Sequence, residues 1–161
     1  MPPALDIVIV SYNARADLER CLGSLRAHPP ARPVQVVVVD NASTDGSADA
    51  ARLAWPGAQV LAQRENLGFS RANNLGIRAT GAPLVLLLNS DTLVSAGAID
   101  ALCDALERTP EAAAAGPRLV DPHGRPELSF GHMISPWQEF QRKVIDRLYA
   151  RGVPSVTAWV A

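Results

Sequence analysis

Short aliphatic runs, each followed by a cluster of polar side chains, recur along this chain. Residues 34–39 and 84–88 are almost entirely Val or Leu, a pattern typical of strands buried on both faces in the middle of a parallel sheet. A third run, residues 6–10, lies near the start. If these strands are parallel, the polar residues after them meet at one edge of the sheet, where open α/β sheets bind ligands.

Helical patterns separate the predicted strands. Arg15–Ala27, for example, has leucines spaced to form one apolar face and is followed by two prolines. Strands that alternate with helices predict parallel βαβ units with right-handed crossovers, and therefore an α/β fold. In chain order we predict strand 6–10, helix 15–27, strand 34–39, helix 47–53, strand 59–62, helix 69–79, strand 84–88, helix 96–108, strands 113–120 and 127–130, and helix 136–150.

The polar clusters at the strand ends carry the candidate chemistry. Asp91 stands where a metal ion or a phosphate-bearing ligand would meet the sheet, although such residues also turn the chain and cap helices. The convergence of three polar strand ends favours a ligand site over capping. The clusters are Ser11-Tyr12-Asn13, the segment from Asp40 to Ser47, and Asn89-Ser90-Asp91.

The composition limits the fold and the partners. A chain of 161 residues that is 48% hydrophobic and 19% charged suits one globular domain. Net charge of −1 and 5% aromatic residues argue against nucleic-acid binding. The apolar runs are too short to span a bilayer and no signal-peptide pattern is present, so we expect a cytoplasmic protein.

The cysteines and histidines form no recognisable site. Cys21 and Cys103 fall in predicted helices without the spacing of metal ligands, and we expect buried free thiols. The three histidines are scattered along the chain, so the sequence predicts no zinc site.

Four motifs in order resemble the inverting family 2 glycosyltransferases, and most of all the rhamnosyltransferase-like members that assemble bacterial polysaccharides. The resemblance covers about residues 6–120 and implies a GT-A fold, a Rossmann-like, mostly parallel sheet flanked by helices. The motifs are Val10-Ser11-Tyr12-Asn13, the segment from Val39 to Ser47, Asn66-Leu67-Gly68-Phe69 with Ala72-Asn73, and Leu88-Asn89-Ser90-Asp91.

The resemblance implies a nucleotide-diphospho-sugar donor, such as a UDP- or dTDP-sugar. It places Asp40 at the nucleobase, where a carboxylate accepts a hydrogen bond from a pyrimidine N–H. Gly68 would let the backbone approach the ligand closely, and Arg71 would help to neutralise the diphosphate. The residues expected to bind the donor are Ser11, Asn13, Asp40, Asn66, Gly68, Arg71 and Asn89.

Asn89-Ser90-Asp91 matches the Asp-x-Asp position at which this family binds a metal ion. Asp91 is expected to hold Mg²⁺ or Mn²⁺, which prefer oxygen ligands, and the ion stabilises the departing nucleoside diphosphate. Asn89 replaces the first carboxylate and removes one negative charge. We therefore expect weak metal binding unless diphosphate oxygens complete the coordination.

Other polar residues of the motifs have simpler explanations in turns, caps and packing. We expect Asp45 to form only a turn, Asn73 and Asn74 to satisfy loop backbone, and Tyr12 to pack, whereas helix capping is an alternative explanation for Asn41 and Ser43.

The acceptor side of the domain is predicted to be incomplete. We expect a single GT-A domain over residues 1–161, with the donor-binding half at 5–120 and the start of the acceptor half at 121–161. An inverting transferase needs a general base, but neither Glu127 nor Glu139 lies in a matching motif, so none is assigned. The chain is expected to be truncated and inactive alone, and the strand beginning at 156–161 would leave an open edge that favours self-association.

The partners follow from the same resemblance. The acceptor is expected to be a polysaccharide or a lipid-linked sugar. The apolar stripe and arginines of helix 136–150 fit contact with the inner face of a membrane or with such an acceptor, although ordinary packing of an amphipathic helix is favoured.

Two other functions are less consistent with the motifs. A sugar-nucleotidyltransferase would need a glycine-rich phosphate loop after the first strand, which here reads Ser11-Tyr12-Asn13. A signalling receiver module would need an acidic pair at that position and a lysine after its last strand. A non-catalytic nucleotide-sugar-binding module remains an alternative.

Overall fold

The computed structural model describes residues 2–117. The eight strands and helices in these residues begin and end within two residues of the predicted positions, which confirms the alternation of strands and helices. The elements are β1 (Leu5–Ser11), α1 (Arg15–Ala27), β2 (Val34–Asp40), α2 (Ser47–Ala54), β3 (Gln59–Ala62), α3 (Phe69–Arg78), β4 (Leu84–Asn89) and α4 (Ala98–Glu107).

The strands form one parallel sheet in the order β3-β2-β1-β4. In the register of the sheet, Ser11 at the end of β1 lies beside Asp40 of β2, and Val10 lies beside Asn89 of β4. The predicted meeting of the polar strand ends at one edge is thus confirmed. The structural class is the predicted Rossmann-like α/β fold.

Alternate residues of β1 and β2 face opposite sides of the sheet, as the strand geometry requires. On one side a buried core joins the sheet to α1 and α4, and its members include Ile7, Ile9, Val36, Val38, Leu18, Leu22 and Ile99. On the other side α3 packs against the sheet through Gly76, where an added Cβ would meet the side chains of Val8 and Val39. A Cβ at this position would lie 2.3 Å from Val8 Cγ1, so only glycine permits this approach.

The prediction that residues 84–88 are buried on both faces is wrong. In the described part of the chain β4 is an edge strand paired only with β1. Leu84, Leu86 and Leu88 pack against the core, whereas Val85 and Leu87 on the other face are 39% and 50% exposed. A run of leucines does not reveal whether one or both faces are covered, because every position in it is apolar.

The predicted strand 113–120 is not formed in its described part, since residues 113–117 are irregular. The segment is rich in Ala and ends in Pro117, residue types that are depleted in strands. Strand 127–130, helix 136–150, residues 156–161, Glu127 and Glu139 lie outside the described residues.

Carboxylates fasten the sheet at its amino end. The buried Asp6 accepts hydrogen bonds from the backbone N–H groups of Gly81 and Ala82, each at 2.8 Å, just before β4 begins. Arg32 pairs with Asp104 and Glu107 of α4 at 3.0 and 2.7 Å. None of the helices within residues 2–117 combines the length and the apolar character that crossing a bilayer requires.

Candidate functional site

Two buried polar atoms lie at the carboxyl edge of the sheet without a partner among the described residues. Asp40 is 4% exposed and Ser11 is 1% exposed, and they are neighbours across β1 and β2. Asp40 Oδ2 accepts a hydrogen bond from the Ser43 backbone N–H at 3.2 Å, but Asp40 Oδ1 and Ser11 Oγ accept none. Because buried polar atoms are nearly always paired, both atoms are candidates to meet a ligand.

Asn13 joins the loop after β1 to the loop after β2. Its backbone N–H donates to Ser43 Oγ at 2.9 Å, and its Oδ1 accepts from the Thr44 N–H at 2.8 Å. Its φ of +49° lies in the left-handed region, which asparagine tolerates better than most residues. Ser43 therefore receives a bond from another loop, and the alternative explanation that it caps a helix does not hold.

Asp45 links the loop after β2 to the first residue of α1. Its carboxylate accepts the Arg15 N–H at 2.9 Å and also the Ser47 N–H at 3.0 Å, beside Gly46 with a φ of +83°. The hydrogen bond from the Ser47 hydroxyl, followed by that from the Arg15 N–H, lowers the pKa of Asp45 below its usual value. Asp45 lies in a bend, and the prediction that it forms only a turn is wrong, because its carboxylate also bonds to the first residue of α1.

Asn41 links the loop after β2 to the loop after β3. It is buried, its Nδ2 donates to Asn66 Oδ1 at 2.8 Å, and its Oδ1 accepts the Leu67 N–H at 2.8 Å. Asn66 Oδ1 also accepts the Gly68 N–H at 2.8 Å. Gly68 has φ +76° and ψ 164°, a conformation that is essentially restricted to glycine. The alternative explanation that Asn41 caps a helix does not hold.

The first turn of α3 lies next to this loop. Asn73 is buried and donates to the Phe69 carbonyl of its own helix at 3.0 Å, so the prediction that it satisfies loop backbone is wrong. Arg71 is exposed and has no ion pair within residues 2–117. Tyr12 and Phe69 are 51% and 64% exposed, so the packing predicted for Tyr12 is wrong. No feature of the sequence singled out Phe69 as an exposed aromatic residue at this edge.

Asp91 follows β4 on a turn that α1 holds in place. The thiol of Cys21 donates to the Asn89 carbonyl at 3.6 Å, and Ser24 Oγ accepts the Val94 N–H at 2.9 Å. Burial, and then the nearby Asp91 carboxylate, raise the pKa of Cys21 to about 11, so it remains a thiol. Both cysteines are free and buried, as predicted.

The Asp91 carboxylate is exposed and makes no hydrogen bond within residues 2–117. In the same part of the chain no group of three His, Cys, Asp or Glu residues is placed to hold a metal ion. A free carboxylate suits Mg²⁺ or Mn²⁺, but such an ion takes six or more oxygen ligands. The residues present therefore fit a metal that shares its coordination with a bound anionic ligand.

Solved structures with the same fold bind nucleotide sugars. The chain aligns over 66% of its length with 33% of the mannosyltransferase PcManGT from Pyrobaculum calidifontis, in complex with GDP-Man and Mn²⁺, at 25% identity and a TM-score of 0.59. It aligns over 68% of its length with 32% of TarS from S. aureus in complex with UDP-GlcNAc, at 20% identity and a TM-score of 0.59, a similarity of fold.

The sequence is also similar to characterised bacterial proteins. It is 38% identical, over 99% of this chain, to an N-acetylglucosaminyl-diphospho-decaprenol L-rhamnosyltransferase of Mycobacterium tuberculosis, and spans 55% of that protein. It is 35% identical, over 63% of this chain, to 30% of the succinoglycan biosynthesis protein ExoU of Rhizobium meliloti. The chain thus spans about half the length of the rhamnosyltransferase. It spans about a third of each of the other three proteins named here.

The family relationship rests on nearly the whole chain. The model of the glycosyl transferase family 2 matches residues 6–159, and the strand ends described above carry the motifs on which the resemblance was based. The chain therefore belongs to glycosyl transferase family 2.

Proposed function

We propose that this chain binds a nucleotide-diphospho-sugar, with a UDP or dTDP nucleotide, for inverting transfer of the sugar to a polysaccharide or lipid-linked acceptor. The observation that carries the proposal is the pair of buried, unpartnered atoms Asp40 Oδ1 and Ser11 Oγ at the carboxyl edge of the sheet. Asp91, one strand further along that edge, supplies a free carboxylate.

The Asp40 carboxylate suits the N3–H of a pyrimidine base. Asp40 Oδ1 lacks a donor in the described part of the chain, and an N–H from the ligand would satisfy it. Uracil and thymine both carry this N–H, so Asp40 accepts either base. The hydroxyl of Ser11, its neighbour across the strands, would line the base and ribose.

The diphosphate is proposed to lie between Asp91 and α3. Arg71 is exposed in the first turn of α3, where its positive charge and the helix N-terminus both favour an anion. Asp91 would hold Mg²⁺ or Mn²⁺, which when bound stabilises negative charge on the departing diphosphate. The GDP-Man and Mn²⁺ of the PcManGT structure support this assignment.

The acceptor is proposed from the rhamnosyltransferase relative, whose name specifies a decaprenol-linked substrate. A lipid-linked acceptor would bring this chain to the inner face of a membrane. No residue is assigned as the general base, and we propose that the 161 residues bind the donor without transferring its sugar efficiently.

Calorimetry with UDP, dTDP and GDP, each with Mn²⁺, tests the proposal on the 161-residue chain. We expect UDP or dTDP to bind, and Asp40→Asn to weaken this binding about ten- to hundredfold because the acceptor oxygen and its charge are altered. Asp49→Asn is the matched control, because the Asp49 carboxylate is 85% exposed on α2. This substitution is expected to leave nucleotide binding unchanged.

Two results would contradict the proposed function. The first is the absence of pyrimidine nucleotide binding by a chain that unfolds cooperatively on heating. The second is equal nucleotide binding by Asp40→Asn and the unchanged chain.

A further inference from the structure

We infer that Asn41 is a positioning residue, which sets the side-chain amide of Asn66 so that its N–H group faces the nucleotide. The inference rests on the proposed function, because it concerns the same ligand. Asn41 is 3% exposed and lies beneath the loop after β3, whereas Asn66 is exposed on that loop. Asn41 therefore acts through Asn66 and not by touching the ligand.

Two backbone N–H groups determine the orientation of both amides. The Leu67 N–H is a donor, so the atom of Asn41 that faces it must be the carbonyl Oδ1. The other end of that amide, Nδ2, then points at Asn66. The Gly68 N–H requires Asn66 Oδ1 in the same way. If either amide rotated by half a turn, its N–H group would face a backbone N–H, and two donors cannot bond to each other. Each amide therefore has one allowed orientation.

This arrangement leaves the Nδ2 group of Asn66 as an unused donor. Asn66 Oδ1 is occupied by two donors, while Asn66 Nδ2 makes no hydrogen bond with any residue in the described range 2–117. The loop leads directly into the N-terminus of α3 through Gly68. A phosphate or ribose oxygen of the nucleotide is the class of acceptor that this donor suits.

The variant Asn41→Asp reverses the polarity of the contact with Asn66. A carboxylate still accepts the Leu67 N–H but no longer donates to Asn66, so the Asn66 amide loses one of the two donors that fix its orientation and its Nδ2 is no longer held toward the ligand. We expect the Kd for UDP or dTDP to rise about tenfold, the loss of one hydrogen bond. Asn74→Asp, which makes the same change of charge at an exposed position of α3, is expected to bind as the unchanged chain does.

A double-mutant cycle separates positioning from general loss of structure. Once Asn66→Ala has removed the amide, the further change Asn41→Asp is expected to raise the Kd by less than about twofold. Additive losses in the double variant would show that Asn41 does not act through Asn66. Nucleotide binding by Asn41→Asp equal to that of the unchanged chain would also refute the positioning role.

A spectroscopic test on the unchanged chain does not depend on the folding of any variant. We expect the side-chain ¹⁵N–¹H signals of Asn66 to shift when UDP or dTDP is added to saturation, and those of the buried Asn41 amide to exchange slowly with water. Unchanged Asn66 signals at saturation would refute the inference. A chain that binds no nucleotide at all would refute the proposed function and, with it, this role.

Discussion

At the scale of single residues, the polar side chains of the site mostly hold loops to one another. Asn13, Asn41 and Asp45 each bond to backbone or side chains at least 25 residues away. The sequence placed all three in the correct clusters, but it did not identify their partners. A short polar side chain has the same local appearance whether it turns its own loop or fastens another.

Asp45 makes the stability of this loop system dependent on pH. Its folded-state pKa lies below its usual value of 3.8, so its contribution is present above that value and is lost as the pH falls through the folded pKa. We expect Asp45→Asn to melt at a lower temperature than the unchanged chain at about pH 7, and the difference to shrink as the pH falls below 3.8.

Thermal unfolding followed by circular dichroism at several pH values measures this effect. Asp49→Asn serves as the control, because the Asp49 carboxylate pairs only with Arg52 of its own helix in the described part of the chain. A difference in melting temperature that is the same at every pH would contradict a role for the charge of Asp45.

At the scale of elements, periodicity and breakers located the helices and strands well. Leucine spacing and the two prolines identified α1, and short aliphatic runs identified β1, β2 and β4. The same local signals did not reveal that β4 exposes Val85 and Leu87, or that the Ala-rich segment after α4 is irregular. Both depend on which neighbour covers a face or pairs with a strand.

The packing of α3 on the sheet predicts opposite effects for two helical glycines. Gly76→Ala places a methyl group against Val8 and is expected to lower the free energy of unfolding by about 1–3 kcal/mol. Gly23→Ala on α1 meets nothing within 4 Å and is expected to raise it by about 0.5–1 kcal/mol. Urea unfolding of both variants measures the difference, and a neutral or stabilising Gly76→Ala would contradict the close approach of α3.

At the scale of the whole molecule, the parallel order of the sheet assembles the site. Crossover helices return each strand in the same direction, so the loops after β1, β2 and β3 and the turn after β4 meet at one edge. The polar residues that follow the strands, from Ser11 after β1 to Asp91 after β4, are brought to one edge of the sheet in this way. The chain spans 55% of its rhamnosyltransferase relative, and the acceptor and the complete reaction are therefore proposals.

If the exposed Asp91 carboxylate holds the proposed metal ion, a single protein ligand predicts that metal and nucleotide bind cooperatively. Diphosphate oxygens would supply the missing ligands, so we expect UDP or dTDP to lower the Kd for Mn²⁺ about tenfold or more, and Mn²⁺ to lower the nucleotide Kd equally. Asp91→Asn is expected to abolish this coupling while leaving metal-free nucleotide binding within about twofold. Calorimetric titrations in both orders measure it, and equal Mn²⁺ affinity with and without nucleotide would contradict the shared site.

The sequence by itself determined the order of the elements, their bounds to within two residues, the α/β class and the polar clusters at the strand ends. These features depend on side-chain periodicity and on turn residues within short segments, and both can be identified directly in the sequence. Only the tertiary structure decided that β4 lies at the edge of the described sheet, that Tyr12 is exposed, and that Asn41 bonds to Asn66. Each depends on contacts between distant segments, because burial and hydrogen-bond partners are set by the neighbours that folding supplies.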